Sequence, residues 1–182
     1  MRDMERYSES AEVIRQRQER VRFRCELAAL LRRIILLGAA AWLLLTQVFV
    51  VTQAQGQGMF PAIKDGDLVL AFCWQRDYQK DDVLLCTVDG QNYIGRLAAG
   101  AGDVVTITEE GTLLVNGTVQ SGEILYPTYP GEVLTYPYRV PEGCVFLLGD
   151  YRTEAADSRE FAAVPLSQVR GKVITILRRR AV

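Results

Sequence analysis

The chain has 182 residues, a formal net charge of −1 and no histidine. That length holds one modest domain plus an anchor, and the near-zero charge gives no support to polyanion binding, so no nucleic-acid partner is expected. The absence of histidine excludes His-dependent triads and His-containing zinc sites. Cys25, Cys73, Cys86 and Cys144 lack CxxC spacing, so neither a metal nor another cofactor is expected.

Residues 1–33 are polar and Arg-rich, with Arg15, Arg17, Arg20, Arg22 and Arg24 followed by Arg32 and Arg33, and they read as a solvated helix. Residues 34–51, IILLGAAAWLLLTQVFVV, carry no charge and are long enough to cross a ~30 Å hydrocarbon core as a helix. The Arg cluster before this segment and its absence after it place the N-terminus in the cytoplasm and residues 52–182 outside the cell membrane. A cleaved signal peptide is disfavoured by the long apolar run and by the poor cleavage sequence Thr52-Gln53-Ala54. The charge asymmetry argues against a buried core helix.

Beyond the span the period shortens. LVLAFC at 68–73, DVLLCTV at 82–88, VVTIT at 104–108, TLLVNGTV at 112–119, CVFLLGD at 144–150 and KVITIL at 172–177 are short, β-rich runs. Turn signals such as Asp89-Gly90 and Asn116-Gly117 punctuate them, and a mainly β domain follows. The Asn-Gly-Thr at 116–118 is a hairpin turn in preference to a glycosylation site. Cys73 and Cys86 fall on strands expected to be neighbours, which leaves a disulfide and two free thiols both open. The Pro/Tyr-rich stretch YPTYPGEVLTYPY at 126–138 is the one irregular insertion, a partner surface or a packing element.

Gly56-Gln57-Gly58-Met59-Phe60-Pro61 looks like a catalytic motif without its nucleophile. Gly66-Asp67 follows, then Tyr93-Ile94-Gly95-Arg96 with Gly102-Asp103, then GDYRTEAADSR from Gly149 to Arg159. In order and spacing these boxes resemble those of the bacterial type I signal peptidases, membrane-anchored proteases that remove signal peptides from exported preproteins. The resemblance runs from Ile34 to Leu177. It implies a signal peptidase-type β domain behind a single N-terminal transmembrane helix.

Carried over position by position, the family's serine nucleophile falls on Gly58 and its general-base lysine on Gly95. The serine that orients the lysine falls on Ala155, and the asparagine of the Gly-Asp-Asn-Arg box on Tyr151. A catalytic residue is therefore expected at none of the three positions Gly58, Gly95 and Ala155. The resemblance implies a groove flanked by Gly56, Gln57, Met59, Tyr93 and Ile94, and a structural box of Asp150, Arg152, Asp157, Ser158 and Arg159, with Asp157 and Arg159 paired. Backbone hydrogen bonding to an extended peptide depends on strand geometry and survives loss of the catalytic side chains. The chain is further similar to signal peptidase-like proteins that lack the dyad and assist pilus assembly. Its expected partners are thus exported preproteins or pilin-like surface proteins, together with membrane lipid. An atypical active signal peptidase is the alternative, although Ser158 with Lys64, or an unactivated Cys86 or Cys144, makes a poor substitute. Phe60 and Trp74 fit either the lipid surface or the core, and Arg178-Arg179-Arg180 either headgroups or solvent.

Overall fold

The computed structural model describes residues 2–120 and 126–178, with side chains given from residue 22 onward except at position 25. Contacts separate a helical unit up to Thr46 from a second unit beginning at Gln47.

The helix α1 spans Arg2–Val48. Its segment Arg22–Val48 is long and apolar enough to cross a membrane: 27 residues at ~1.5 Å each reach ~40 Å. Leu37 and Trp42 are each 71% exposed, so no protein core covers these side chains, and an apolar surface left bare on all sides is the pattern of a membrane helix. The helix stops three residues short of the expected end. Phe49, Val50 and Val51 instead enter a strand, where β-branched side chains lose less rotamer freedom than in a helix.

Among the described residues the second unit holds eleven strands: β1 Phe49–Gln53, β2 Leu68–Phe72, β3 Val83–Val88, β4 Gln91–Ala99, β5 Val104–Ile107, β6 Leu113–Val115, β7 Thr118–Val119, β8 Tyr138–Arg139, β9 Cys144–Leu148, β10 Val164–Pro165 and β11 Val169–Leu177. A four-residue helix, α2, covers Ser158–Phe161. The domain is mainly β, as its sequence pattern requires. One sheet has the order β1-β2-β11-β3-β4-β9-β10 and the other β7-β6-β5-β8, with all pairings antiparallel. Asp89-Gly90 and Asn116-Gly117 turn β3 into β4 and β6 into β7, all four residues at positive φ, which suits two-residue hairpins.

β11 corrects the expected neighbourhood of Cys73 and Cys86. It returns between β2 and β3, with Lys172 opposite both Phe72 and Leu84, so two strand spacings separate the lines carrying the cysteines. Cys73, Cys86 and Cys144 are free thiols.

Three apolar clusters set the sheets in place. Leu84, Cys86, Leu97, Val145, Leu147, Val164 and Val169 pack on one face, and Ala99, Val105, Ile107, Leu113, Val140, Phe146 and Leu148 join the small sheet to the large one. The third cluster, Ala54, Met59, Ile63 and Val69, seats the loop between β1 and β2. Alternate residues of β9 serve different clusters, Leu147 the first and Phe146 with Leu148 the second. The uninterrupted apolar run CVFLL is therefore a strand buried on both faces, each large side chain contributing about 1.5–3 kcal/mol.

Candidate functional site

The loop after β1 folds back on itself through Ala54 N–H to Asp67 O at 2.8 Å, Gly66 N–H to Ala54 O at 2.9 Å and Gly56 N–H to the Asp65 carboxylate at 2.8 Å. Met59 and Ile63, at 4% and 2% exposure, pin it to the core. Gly58 directly precedes the first of these anchors, and its carbonyl accepts the Tyr151 N–H at 3.0 Å.

β9 pairs with β4 at Arg96, Leu97 and Ala99 only, whereas β3 pairs with β4 from Gln91 to Arg96. Among the described residues no strand pairs with the other edge of β4 from Gln91 to Gly95, and β9 leaves it at Leu148. The next residue, Gly149, receives the Gly58 loop. A Cβ placed on Gly149 would lie 2.6 Å from the Gly58 carbonyl oxygen and 2.2 Å from the Ala155 Cβ, distances that only glycine avoids. The docked loop thus meets the sheet at the point where the strand edge opens.

Gly58 and Ala155 are brought together: a Cβ on Gly58 would lie 3.4 Å from the Ala155 Cβ and 3.6 Å from the Ala155 Cα. Gly95 faces a different environment. Its added Cβ would lie 3.0 Å from the Leu147 Cβ and 3.6 Å from the Leu148 carbonyl oxygen, so a core leucine borders that space. None of the three residues carries a hydroxyl, thiol or amine.

The box from Gly149 to Arg159 is held by charge. Asp157 caps α2 by accepting the Arg159 N–H. It also accepts Gly149 N–H at 3.0 Å and both Nε and Nη2 of Arg159 at 2.8 Å. Both partners are under a tenth exposed, so a desolvation cost of several kcal/mol per ion is offset by a bidentate pair with every lone pair engaged. Ser158 is fully buried, and its Oγ accepts Leu147 N–H at 2.9 Å. Asp150 takes a bidentate contact from Arg96 at 2.8 and 2.7 Å. Arg152, 5% exposed, donates to Gly149 O at 2.6 Å and Thr128 Oγ1 at 2.9 Å. Burial lowers its pKa, opposed chiefly by Asp157 and Asp150.

Of the groove residues expected from sequence, Gly56 and Gln57 are exposed on the loop. Tyr93 is half-buried, its ring 5.0 Å from Phe161, and Ile94 packs against the cluster that holds Met59. Met59, 4% exposed, packs its side chain into that cluster and anchors the loop from beneath. Ser158 is held in the interior while Lys64 is exposed, its amine 5.9 Å above the Phe60 ring. Burial pushes the Cys86 thiol up to about 12, leaving it protonated and unreactive at neutral pH. Trp74 is 71% exposed and outside the core. Arg178 donates to Ala62 O at 3.0 Å; Arg179 and Arg180 lie outside the described residues.

Sequence reading missed an aromatic series. The Tyr151 ring stands 6.1 Å from Phe60 and 4.6 Å from Tyr126, linking the Gly58 loop, the charged box and the Pro/Tyr-rich stretch. Arg159 Nη1 donates to Tyr129 O at 3.2 Å, and a Cβ on Gly131 would lie 2.5 Å from Arg159 O. The stretch is therefore fastened to the box. The tyrosine density at 126–138 was the available signal; its destination 24 to 30 positions onward was not encoded locally. Among the described residues no group of three His, Cys, Asp or Glu side chains is placed to hold a metal.

The profile of the family described as signal peptidase, peptidase S26, matches residues 27–177, and the chain belongs to that family. Over 135 residues it is 28% identical to signal peptidase I of Bacillus caldolyticus, a match covering 65% of this chain and 74% of that protein. Over 141 residues it is 29% identical to signal peptidase I of Bacillus licheniformis, covering 70% and 75%. A shorter match, 37% over 82 residues, relates 45% of this chain to 22% of a probable thylakoidal processing peptidase 2, chloroplastic, of Arabidopsis thaliana. Among solved structures, a signal peptidase I from Enterococcus faecalis shares 29% identity, covering 54% of this chain and 97% of that one, with a TM-score of 0.44.

Proposed function

We propose that the protein is a non-catalytic member of the signal peptidase family, anchored in the cell membrane with its N-terminus cytoplasmic. Its β domain stands outside and binds extended segments of exported proteins without cutting them. The observation that carries this reading is the meeting of the Gly58 loop with the open β4 edge at Gly149. A strand edge with unpaired N–H and C=O groups accepts an extended peptide by backbone hydrogen bonds alone. Gly58, Gly95 and Ala155 supply neither nucleophile nor base, and loss of the nucleophile removes roughly six orders of magnitude in a serine protease. Binding without cleavage suits a chaperone or scaffold for exported or pilin-like surface proteins.

The test is incubation of the full chain, in detergent micelles, with a radiolabelled preprotein carrying a small-x-small signal site. Cross-linking should recover an adduct containing the intact preprotein. Specific cleavage at the signal site would overturn the non-catalytic reading, and absence of any adduct the peptide-binding one.

A further inference from the structure

We infer that Tyr151 is a positioning residue of the proposed groove: its ring, held between Phe60 and Tyr126, fixes the rim of the Gly58 loop beside the β4 edge. The inference rests on the peptide-binding reading above.

The loop from Ala54 to Asp67 is secured unevenly. Its base is closed by the Ala54 and Gly66 amides, and its underside by Met59 and Ile63 in the third apolar cluster. Phe60, next to Met59 and two residues from Gly58, belongs to none of the three clusters. What holds Phe60 from outside the loop is the box. The Tyr151 ring lies 6.1 Å from the Phe60 ring, inclined at 49°, and 4.6 Å from the Tyr126 ring, inclined at 33°. Both separations fall in the ~4.5–7 Å range over which tilted rings attract. All three residues are partly buried, so the ring contacts also withdraw apolar surface from water.

The main chain fixes where the Tyr151 ring stands. Tyr151 N–H donates to Gly58 O at 3.0 Å, and Tyr151 O accepts Glu154 N–H at 3.0 Å and Ala155 N–H at 2.9 Å. One residue therefore joins the Gly58 loop, the turn carrying Ala155 and the Pro/Tyr-rich stretch. Backbone bonds and ring contacts are separable, because a substitution at 151 keeps the first and removes the second. The asparagine that the family resemblance implies at this position has no ring and would make neither aromatic contact. A rim held in place before a segment arrives spares the complex the cost of ordering it on binding. Without the ring, Met59 and the loop base still dock the loop, while Phe60 loses its partner on the box. The loss then shows in peptide affinity and in local opening of the loop, not in the cooperative core.

The experiment titrates a fluorescein-labelled decapeptide of Ala, Ser, Thr and Val by anisotropy against the full chain in detergent micelles, and follows hydrogen exchange of residues 54–63 by mass spectrometry on the same proteins. Tyr151→Ala and Tyr151→Asn should each weaken binding about tenfold, the size set by the loss of two ring contacts. Both should speed exchange in residues 54–63 while β3 and β9 stay protected. Tyr151→Phe, which keeps the ring, should match the native chain in both readouts. Phe60→Ala should reproduce the loss, and adding it to Tyr151→Ala should cost little more, because both act on one contact. Native affinity in Tyr151→Ala, or equal weakening by Tyr151→Phe, would overturn the inference and leave the groove standing. No binding by the native chain would overturn the groove reading, and unchanged exchange of residues 54–63 in Tyr151→Ala would by itself overturn the positioning role.

Discussion

A single added carbon on Gly149 would lie 2.2 Å from the Ala155 methyl and 2.6 Å from the Gly58 carbonyl, closer than van der Waals contact allows. At the residue scale the site is thus built around close approach. Its exactness is maintained by Asp157, whose two oxygens accept from Gly149, the Arg159 backbone and the Arg159 guanidinium. Removing that carboxylate strands a buried cation and an unsatisfied Gly149 N–H. Asp157→Ala is therefore expected to lower the unfolding free energy by about 3–5 kcal/mol, read from the urea midpoint of the full chain in micelles. A loss below about 1 kcal/mol would show that the Arg159 charge finds water instead.

At the element scale, β3 carries Cys86 in the core, and its raised pKa gives the fold a pH dependence of known sign. The folded state holds the thiol proton up to about 12, whereas the unfolded chain releases it near 9.0. Tyr136, likewise raised by burial from 10.0 to about 12, acts in the same direction. These groups' contribution is fully present below pH 9 and is lost as pH climbs through the window toward 12. Urea midpoints at pH 8, 9.5 and 10.5 should fall in that order; a midpoint constant across the series would contradict the burial of both groups.

The same scale shows what was legible in the chain. The runs at β2, β3, β5, β9 and β11 and both Gly-containing hairpin turns follow from apolar pattern and backbone preference, which are local. β1 was hidden in the uncharged anchor run, because Phe49–Val51 is as apolar as the helix before it, and only pairing with Ala71 and Phe72 distinguishes a strand. The Asp157–Arg159 ion pair was legible only as what the family resemblance implies. The tie of Arg152 to Thr128, 24 positions away, and the insertion of β11 between β2 and β3 had no local signature, since both are set by long-range topology. The positions Gly58, Gly95 and Ala155 were legible only through family resemblance; that a Cβ on Gly58 would meet Ala155 and one on Gly95 would press on Leu147 required coordinates.

At the scale of the whole molecule, one chain combines a helix able to cross a membrane with a β domain of the signal peptidase family. The proposed role divides the family's chemistry in two: strand pairing to an exported segment is kept, and acyl transfer is given up. The backbone elements proposed to bind peptide are also those that hold the core, since Met59 and Ile63 pin the Gly58 loop and β4 links two apolar clusters through Leu97 and Ala99. Packing for stability alone would therefore preserve the proposed groove when catalytic side chains are absent, whereas nothing in the packing demands a serine at position 58.

The most direct measurement is cleavage of a preprotein with a small-x-small signal site by the native chain and by the triple variant Gly58→Ser, Gly95→Lys, Ala155→Ser, each in detergent micelles. Leu147 has to yield a few tenths of an ångström to admit the lysine, so restored activity is expected to be slow, yet confined to the signal site. The account predicts an uncut preprotein with the native chain and site-specific cleavage with the variant. Site-specific cleavage by the native chain would contradict it.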